Sequence, residues 1–388
     1  MRVYKKQNVY EAALDRIRYL FDEFDEVVVS MSGGKDSTVV FELARIVAKE
    51  RGLEKLNVLW LDQELEFEAT ADYMRDVMYE PDVNPIWLQI PFNLVNATSA
   101  KEDNYFTTAW GIGDEWVREK DPIAIHENTY GSDRFYDMFP AVIRQMFPDK
   151  SACFLTGVRG EESPSRFVGL TQSAKYKFIT WGKISNSKEA KYTFHPLYDW
   201  TYKDVWKAIF DGNWNYNKHY DAMYQYGVPV HKMRVSNYHH EAAVHAIFYL
   251  QEIEPETYQK ATQRLSGIDA AGKAGKKDYF IDNLPFMFKD WQEYRDYLLE
   301  NITEDPTLRE RFRSKFKQMD DLYGEELGLD SVSRVCIQSI ITNDWDMVKL
   351  NNWERAPQIY NIRRKIQGKS WYDPKNKGKK PAKKSEKP

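Results

Sequence analysis

A chain of 388 residues, 42% hydrophobic and 29% charged, is long enough for two domains, or for one domain with a large extension. It has no run of about 18 apolar residues, the minimum for a membrane-spanning helix, and its basic start lacks the apolar stretch of a signal peptide. Its formal charge of −4 is uneven: from Asp373 to Pro388 seven Lys face Asp373 and Glu386, leaving −9 on the rest, which argues against a DNA-coating protein. Two cysteines, Cys153 and Cys336, exclude a disulfide framework and an all-cysteine metal or iron–sulfur site within one chain, and point to a reducing cytoplasm.

In chain order, residues 8–24 have the spacing of an amphipathic helix, and the Val-rich run at 26–31 that of a buried strand. A helix is predicted from the end of SGGKDS to about residue 50, closed by Gly52. A second strand at 57–61 carries Asp62 at its carboxyl end, followed by a helix over 66–79 and a third strand at 85–90. Short apolar strands alternating with helices predict a parallel α/β sheet. Residues 91–130 break the rhythm and read as a long functional loop with some local helix; the aromatic segment 104–130 is the expected substrate-selecting surface. Residues 134–147 read as a helix interrupted at Pro140, residues 152–158 as a fourth strand, and strand and turn follow to about Asp199. Beyond Pro229 helices are expected over 238–253, 255–265, 291–301, 307–322 and 330–350. A linker at 266–277 and a disordered Lys-rich tail at 369–388 complete the chain. The expected division is 1–228, 229–368 and 369–388.

The stretch Ser32-Gly33-Gly34-Lys35-Asp36-Ser37 stands between a strand and a helix. Glycines leave room for an anion and tolerate positive φ, and successive N–H groups at a helix start can converge on phosphate. Ser32 and Ser37 add hydroxyls, Lys35 adds charge where it turns inward, and Asp36 either caps the helix or holds a magnesium ion indirectly. The spacing is neither that of a Walker A loop nor G-x-G-x-x-G. Arg159 and Arg166 fall at and just beyond a strand's carboxyl end, where open α/β sheets bind ligands, and guanidinium groups suit phosphate or sulfate. Glu162 is placed to orient one of them or to take part in metal binding. Asp62 is either a helix-entry residue or a ribose or metal partner. Thr201 and Asp204 read as a capping box. In His239-His240-Glu241-Ala-Ala-Val-His245, His240 and His245 are five apart, so the zinc motif HExxH fails and no metal site is expected.

The SGGKDS stretch resembles the PP-loop of adenine-nucleotide alpha hydrolases, and the first half of the chain is similar to the phosphoadenosine phosphosulfate (PAPS) reductase family. Three further blocks carry the resemblance over about residues 26–220: LDQELEFEAT from Leu61, TGVRGEESPSR from Thr156 to Arg166, and HPLYDWTYKDVW from His195. It implies a Rossmann-like α/β fold, a parallel twisted sheet with flanking helices, here extended by a mostly helical C-terminal part. It also implies a nucleotide site of Ser30, Ser32, Gly33, Gly34, Lys35, Asp36, Ser37, Asp62, Gly157, Arg159, Glu162, Ser163 and Arg166, with Lys35, Asp36 and Arg159 as the catalytic candidates. The implied ligand is ATP or PAPS, with Mg²⁺. The reductases' C-terminal Glu-Cys-Gly-Leu-His-like motif has no counterpart, so thiol-dependent PAPS reduction is not expected; adenylyl transfer with pyrophosphate release, or sulfur-group transfer, is. The layout resembles the immunoglobulin-binding regulator A branch, which implies as an alternative a non-catalytic nucleotide-binding regulator with a ParB-like partner; the aromatic loops and basic tail together suit a further alternative, a nucleic-acid modification enzyme using adenylation.

Overall fold

Apolar runs of four to six residues are too short for buried helices, and here they become strands. The computed structural model describes residues 6–99, 106–163, 166–167, 169–170, 176–186, 191–235, 237–240, 246–265, 267–269, 283–366 and 368. Strands β1 (Glu26–Ser30), β2 (Leu56–Leu61) and β3 (Val83–Leu88) run parallel. A separate antiparallel hairpin, β4 (Phe92–Val95) with β5 (Phe106–Ala109), comes next. β6 (Ala152–Leu155) returns to the main sheet beside β1, and β8 (Lys191–Phe194) lies parallel to β6. β7 (Gly182–Asn186) closes the edge antiparallel to β8, giving the order β3-β2-β1-β6-β8-β7. The sheet is therefore mostly parallel, and its one antiparallel strand stands at the edge.

Alternation along β1 explains the layers. Val27 and Val29 face one side, with Trp60, Trp87 and Leu155; there they pack against α1 (Val9–Glu23), α2 (Lys35–Glu50) and α3 (Glu68–Met78). Val28 faces the other, with Leu59, Ile86 and Phe154, under α4 (Phe135–Met146) and the hairpin. A strand buried on both faces reads as a continuous apolar run, as this one does. After β8, α5 (Tyr202–Gly212) starts at the expected capping box: the Thr201 hydroxyl accepts from Asp204 N, and the Asp204 carboxylate accepts from Thr201 N at 2.7 Å.

Helices α6 (His219–Tyr226), α7 (Ile247–Ile253) and α8 (Pro255–Arg264) share a core with Leu65 and Phe67 and so pack on the sheet region. Helices α9 (Trp291–Ile302), α10 (Pro306–Leu327), α11 (Leu329–Ile341), α12 (Val348–Arg355) and α13 (Pro357–Ile366) enclose a separate core around Phe312, Phe316, Met319 and Cys336. No helix among the described residues is long and apolar enough to cross a membrane.

Several boundaries differ from expectation. The third strand begins at Val83 and ends before Ile90, and the fourth stops at Leu155, leaving residues 156–158 as loop. Pro140 lies inside a continuous α4. The described part of 91–130 holds the hairpin and no helix. The helix predicted over 330–350 is two helices, because the Asp344 carboxylate accepts from Val348 N at 2.7 Å and Lys349 N at 2.9 Å and so starts α12 afresh. Of the helix expected over 238–253, residues 238–240 are turn and bend and Ile247–Ile253 are helix, while residues 241–245, 270–282 and the tail from 369 lie outside the described residues.

Glu64 fastens three remote pieces together. It is fully buried at a positive φ of 64°, and its carboxylate accepts from Trp110 N at 2.7 Å and from Arg264 Nε at 2.8 Å. Arg264 also donates to Thr108 O at 2.8 Å and Asp114 at 2.9 Å. Glu64→Ala leaves the Trp110 amide without its acceptor and takes from Arg264 its buried carboxylate, leaving Asp114 and Thr108 O as its partners. Urea unfolding is expected to show a loss of about 3–5 kcal/mol; a loss under about 1 kcal/mol would show that the clamp is idle.

Candidate functional site

The loop between β1 and α2 is shaped by its glycines. Gly33 has φ +67°, and a Cβ there would lie 2.6 Å from the Thr70 methyl group, so only glycine fits. Gly34 takes the N-cap position with no side-chain cap bond, because Asp36, the expected cap, sits two residues further on at the second helical position. The Ser37 hydroxyl donates to Gly34 O at 2.8 Å and accepts from Ser32 N at 3.3 Å, which braces the turn from inside. Among the described residues the amides of Gly33, Gly34, Asp36 and Ser37 have no acceptor. Four such donors at a helix start make an anion cradle.

Gly157 brings the second block against this loop. A Cβ at Gly157 would fall 2.6 Å from Asp36 C and 2.7 Å from Ser37 N. Two residues on, Arg159 is 4% exposed and its Nε donates to the Asp36 carboxylate. The other Asp36 oxygen accepts from Lys35 Nζ at 3.0 Å, and Lys35, itself turned inward, also donates to Met233 O at 3.3 Å. Glu162 accepts from Arg159 N at 2.9 Å and pairs with Arg166 at 2.9 Å. Ser163 Oγ accepts from Arg166 N at 3.2 Å. Ser30, the last residue of β1, pairs in register with Leu59. The structure thus gathers Ser30, Ser32 to Ser37, Gly157, Arg159, Glu162, Ser163 and Arg166 at the carboxyl ends of β1 and β6.

Asp62 is different. It is fully buried, and both its oxygens are engaged: Oδ1 by Glu64 N at 2.9 Å and Arg118, Oδ2 by Trp87 Nε1 at 3.0 Å and Gln89 Nε2 at 2.9 Å. Of the two expected roles, helix-entry residue and ribose or metal partner, this geometry serves neither: α3 begins at Glu68, and no lone pair of Asp62 is left over. The aromatic segment is also drawn inward: Trp110 is fully buried, donating Nε1–H to Asp62 O at 2.8 Å, and Trp116 donates to Gly111 O. Of its described members Phe106, 51% exposed, still offers a face.

Sequence reasoning missed four residues. The Tyr220 hydroxyl accepts from Lys35 N at 3.0 Å, and burial pushes its pKa up. Asn217 Nδ2 bridges Gly33 O at 3.1 Å and Thr70 Oγ1 at 2.8 Å. Met233 supplies the carbonyl for Lys35, and Arg234 donates to Glu162 O at 2.7 Å. None carries a motif, and the aromatic and polar run before Tyr220 was the only available signal.

Neither thiol is at the loop. Cys153 is fully buried in β6 and Cys336 in α11; burial pushes the first thiol well up and the second to about 12. His239 is also fully buried, and burial drives its pKa down to about 3, with His240 lowered to about 4. No group of three metal-capable side chains occurs among the described residues; Glu241 to His245 lie outside them.

Residues 26–226 match the phosphoadenosine phosphosulfate reductase domain, and residues 227–369 match a domain of unknown function, DUF3440. The first match spans more than half of the chain, and the chain belongs to that family. The uncharacterized protein YbdN of Escherichia coli K12 is 28% identical over 333 residues, covering 81% of this chain and 80% of that one. An adenosine 5′-phosphosulfate reductase of Lysinibacillus sphaericus is 23% identical, over 57% of this chain and 79% of its own. A solved FMN adenylyltransferase of Candida glabrata is 12% identical with a TM-score of 0.35, over 57% of this chain and 64% of that chain, too slight a likeness to argue from.

Two outcomes follow from this geometry. Gly157→Ala forces a methyl group into the first turn of α2 and is expected to cost about 1–3 kcal/mol in urea unfolding. Gly169→Ala, which meets nothing within 4 Å, serves as the near-neutral control. For His239 the folded pKa of about 3 lies below the ordinary histidine value of 6.5, so the unfolded chain binds the extra proton between those values. The stability that His239 contributes above pH 6.5 is therefore lost as pH falls, by about 1.4 kcal/mol per unit within that window. His239→Leu should flatten this part of the profile; unchanged pH dependence would refute the assignment.

Proposed function

We propose that the chain is a PP-loop enzyme that binds ATP or PAPS and transfers an adenylyl or a sulfur-bearing group to an acceptor nucleophile. The observation that carries the reading is the contact of Gly157 with the loop, which sets the arginine block against SGGKDS. The free amides would hold one phosphate, with Asp36, Lys35 and Arg159 keeping the loop in its donor-forward shape.

With ATP, the acceptor's nucleophilic atom attacks the α-phosphorus, the bond to the bridging oxygen breaks, pyrophosphate leaves with that electron pair, and the acceptor's proton passes to solvent. With PAPS, the sulfonate moves to the acceptor and adenosine 3′,5′-bisphosphate leaves. Mg²⁺ fits as an ion brought by the nucleotide's own phosphates, as such ions keep few protein ligands. Asp36 and Glu162 are the carboxylates beside the loop, and both already face cations. Bound there, Mg²⁺ would neutralise phosphate charge. Thiol-dependent reduction is not part of the proposal, since both sulfurs are buried with raised pKa.

Purified protein incubated with labelled ATP, and separately with PAPS, is expected to release pyrophosphate or adenosine 3′,5′-bisphosphate. Ser37→Ala and Arg159→Ala should each reduce the rate by at least about tenfold. Tight binding of both nucleotides without turnover, with protein and nucleic-acid acceptors supplied, would replace the enzyme by a nucleotide-binding regulator.

A further inference from the structure

The arginine that the motif singles out is not the one free to grip a ligand. Arg159 is 4% exposed, its Nε–H going to Asp36 and its Nη1–H to Glu161 and Trp200 O at 3.5 Å, so burial and internal partners hold it within the protein. Two other guanidinium groups flank the same place, Arg166 and Arg234, both exposed and both moored on Glu162. Arg166 pairs with the carboxylate at 2.9 Å, and Arg234 donates to the main-chain oxygen at 2.7 Å. Each mooring uses a small part of a five-donor fork, and one carboxylate between two arginines leaves an excess positive charge.

Arg234 comes from the region after residue 226, outside the reductase-domain match. Its place is nonetheless fixed from both sides. Met233 O accepts from Lys35 Nζ, and the Val235 side chain lies 3.5 Å from where a Gly34 Cβ would be. A short extended strap, with Met233 at φ −66° and ψ 122°, thus crosses the loop and delivers Arg234 to its rim. A side chain held this way loses little further freedom on binding.

We propose that Arg234 is a specificity-determining residue which, together with Arg166, grips a second tetrahedral oxyanion of the nucleotide, beyond the phosphate cradled by the loop amides. This rests on the nucleotide-binding reading above. The shared chemistry is a phosphate or sulfonate presented to two guanidinium forks. Its source is the terminal phosphate of ATP, or the sulfonate or 3′-phosphate of PAPS.

The test is calorimetric binding of AMP, ATP, adenosine 5′-phosphosulfate and PAPS to the full chain and to Arg234→Ala and Arg234→Lys. Arg234→Ala should leave AMP affinity within about twofold and weaken at least one of the longer ligands by about tenfold to hundredfold, the range for a charged hydrogen bond. Arg234→Lys should recover only part, since an ammonium lacks the fork. Loss on ATP assigns the terminal phosphate. Loss on PAPS alone assigns the 3′-phosphate, and loss on both sulfated nucleotides assigns the sulfonate. Equal weakening of all four, or a lower melting temperature with selectivity unchanged, would mean a structural tether and overturn the proposal. If the native chain bound none of the four, the nucleotide reading itself would fall, a result distinct from either.

Discussion

Two backbones meet at Gly157 with no side chain between them, and the site hangs on that approach. The first turn of α2 and the loop after β6 come so close that any Cβ would enter the Asp36–Ser37 peptide. Parallel neighbours β1 and β6 make the meeting inevitable once both chains leave the sheet at the same end. The ion pair of Arg159 with Asp36 is a consequence of this contact, and Asp36 is held in turn by its neighbour Lys35.

The second constraint is electrostatic. The strand end after β2 places Asp62, Glu64 and Glu66 in the interior within a few residues of one another. Burying carboxylates is tolerable only with cations or donors to match. Arg118 answers Asp62, and Arg264 answers Glu64. Among the described residues Glu66 makes no ion pair; burial, with the Asp62 charge beside it, outweighs the nearby Arg118 and holds its carboxyl well above the usual range. The long segment after β3 and the helix ending at Arg264 are therefore drawn to the sheet by charge as well as by apolar packing. This explains why Trp110, in the segment expected as a substrate-selecting surface, lies instead in the core.

The legible parts of the fold were those whose physics is local. Strand alternation, the capping box at Thr201 and the glycine loop all depend on neighbours in sequence, and Val27 to Val29, Asp204 and Gly33 stand where the pattern puts them. Gly157, Arg159 and Arg166 were legible as a block, but their division of labour was not, since only the fold reveals that Arg159 is spent on Asp36. Asn217 and Met233 carry no motif, and Tyr220 had only the aromatic and polar run before it. A hydroxyl or carbonyl that completes a remote loop leaves no spacing to detect. Pro140 and the hairpin after β3 were misread for the complementary reason, a local rule overridden by packing.

The strap of Met233 to Val235 carries a last implication. The two regions matched by separate families adjoin at 226 and 227, yet the second reaches back to touch Lys35, Gly34 and Glu162. The C-terminal region thus supplies part of the surroundings of the SGGKDS loop through this strap. Descent of such a chain constrains both parts jointly: exchange of the C-terminal region between relatives would recombine half a binding site, and the two can drift only in step.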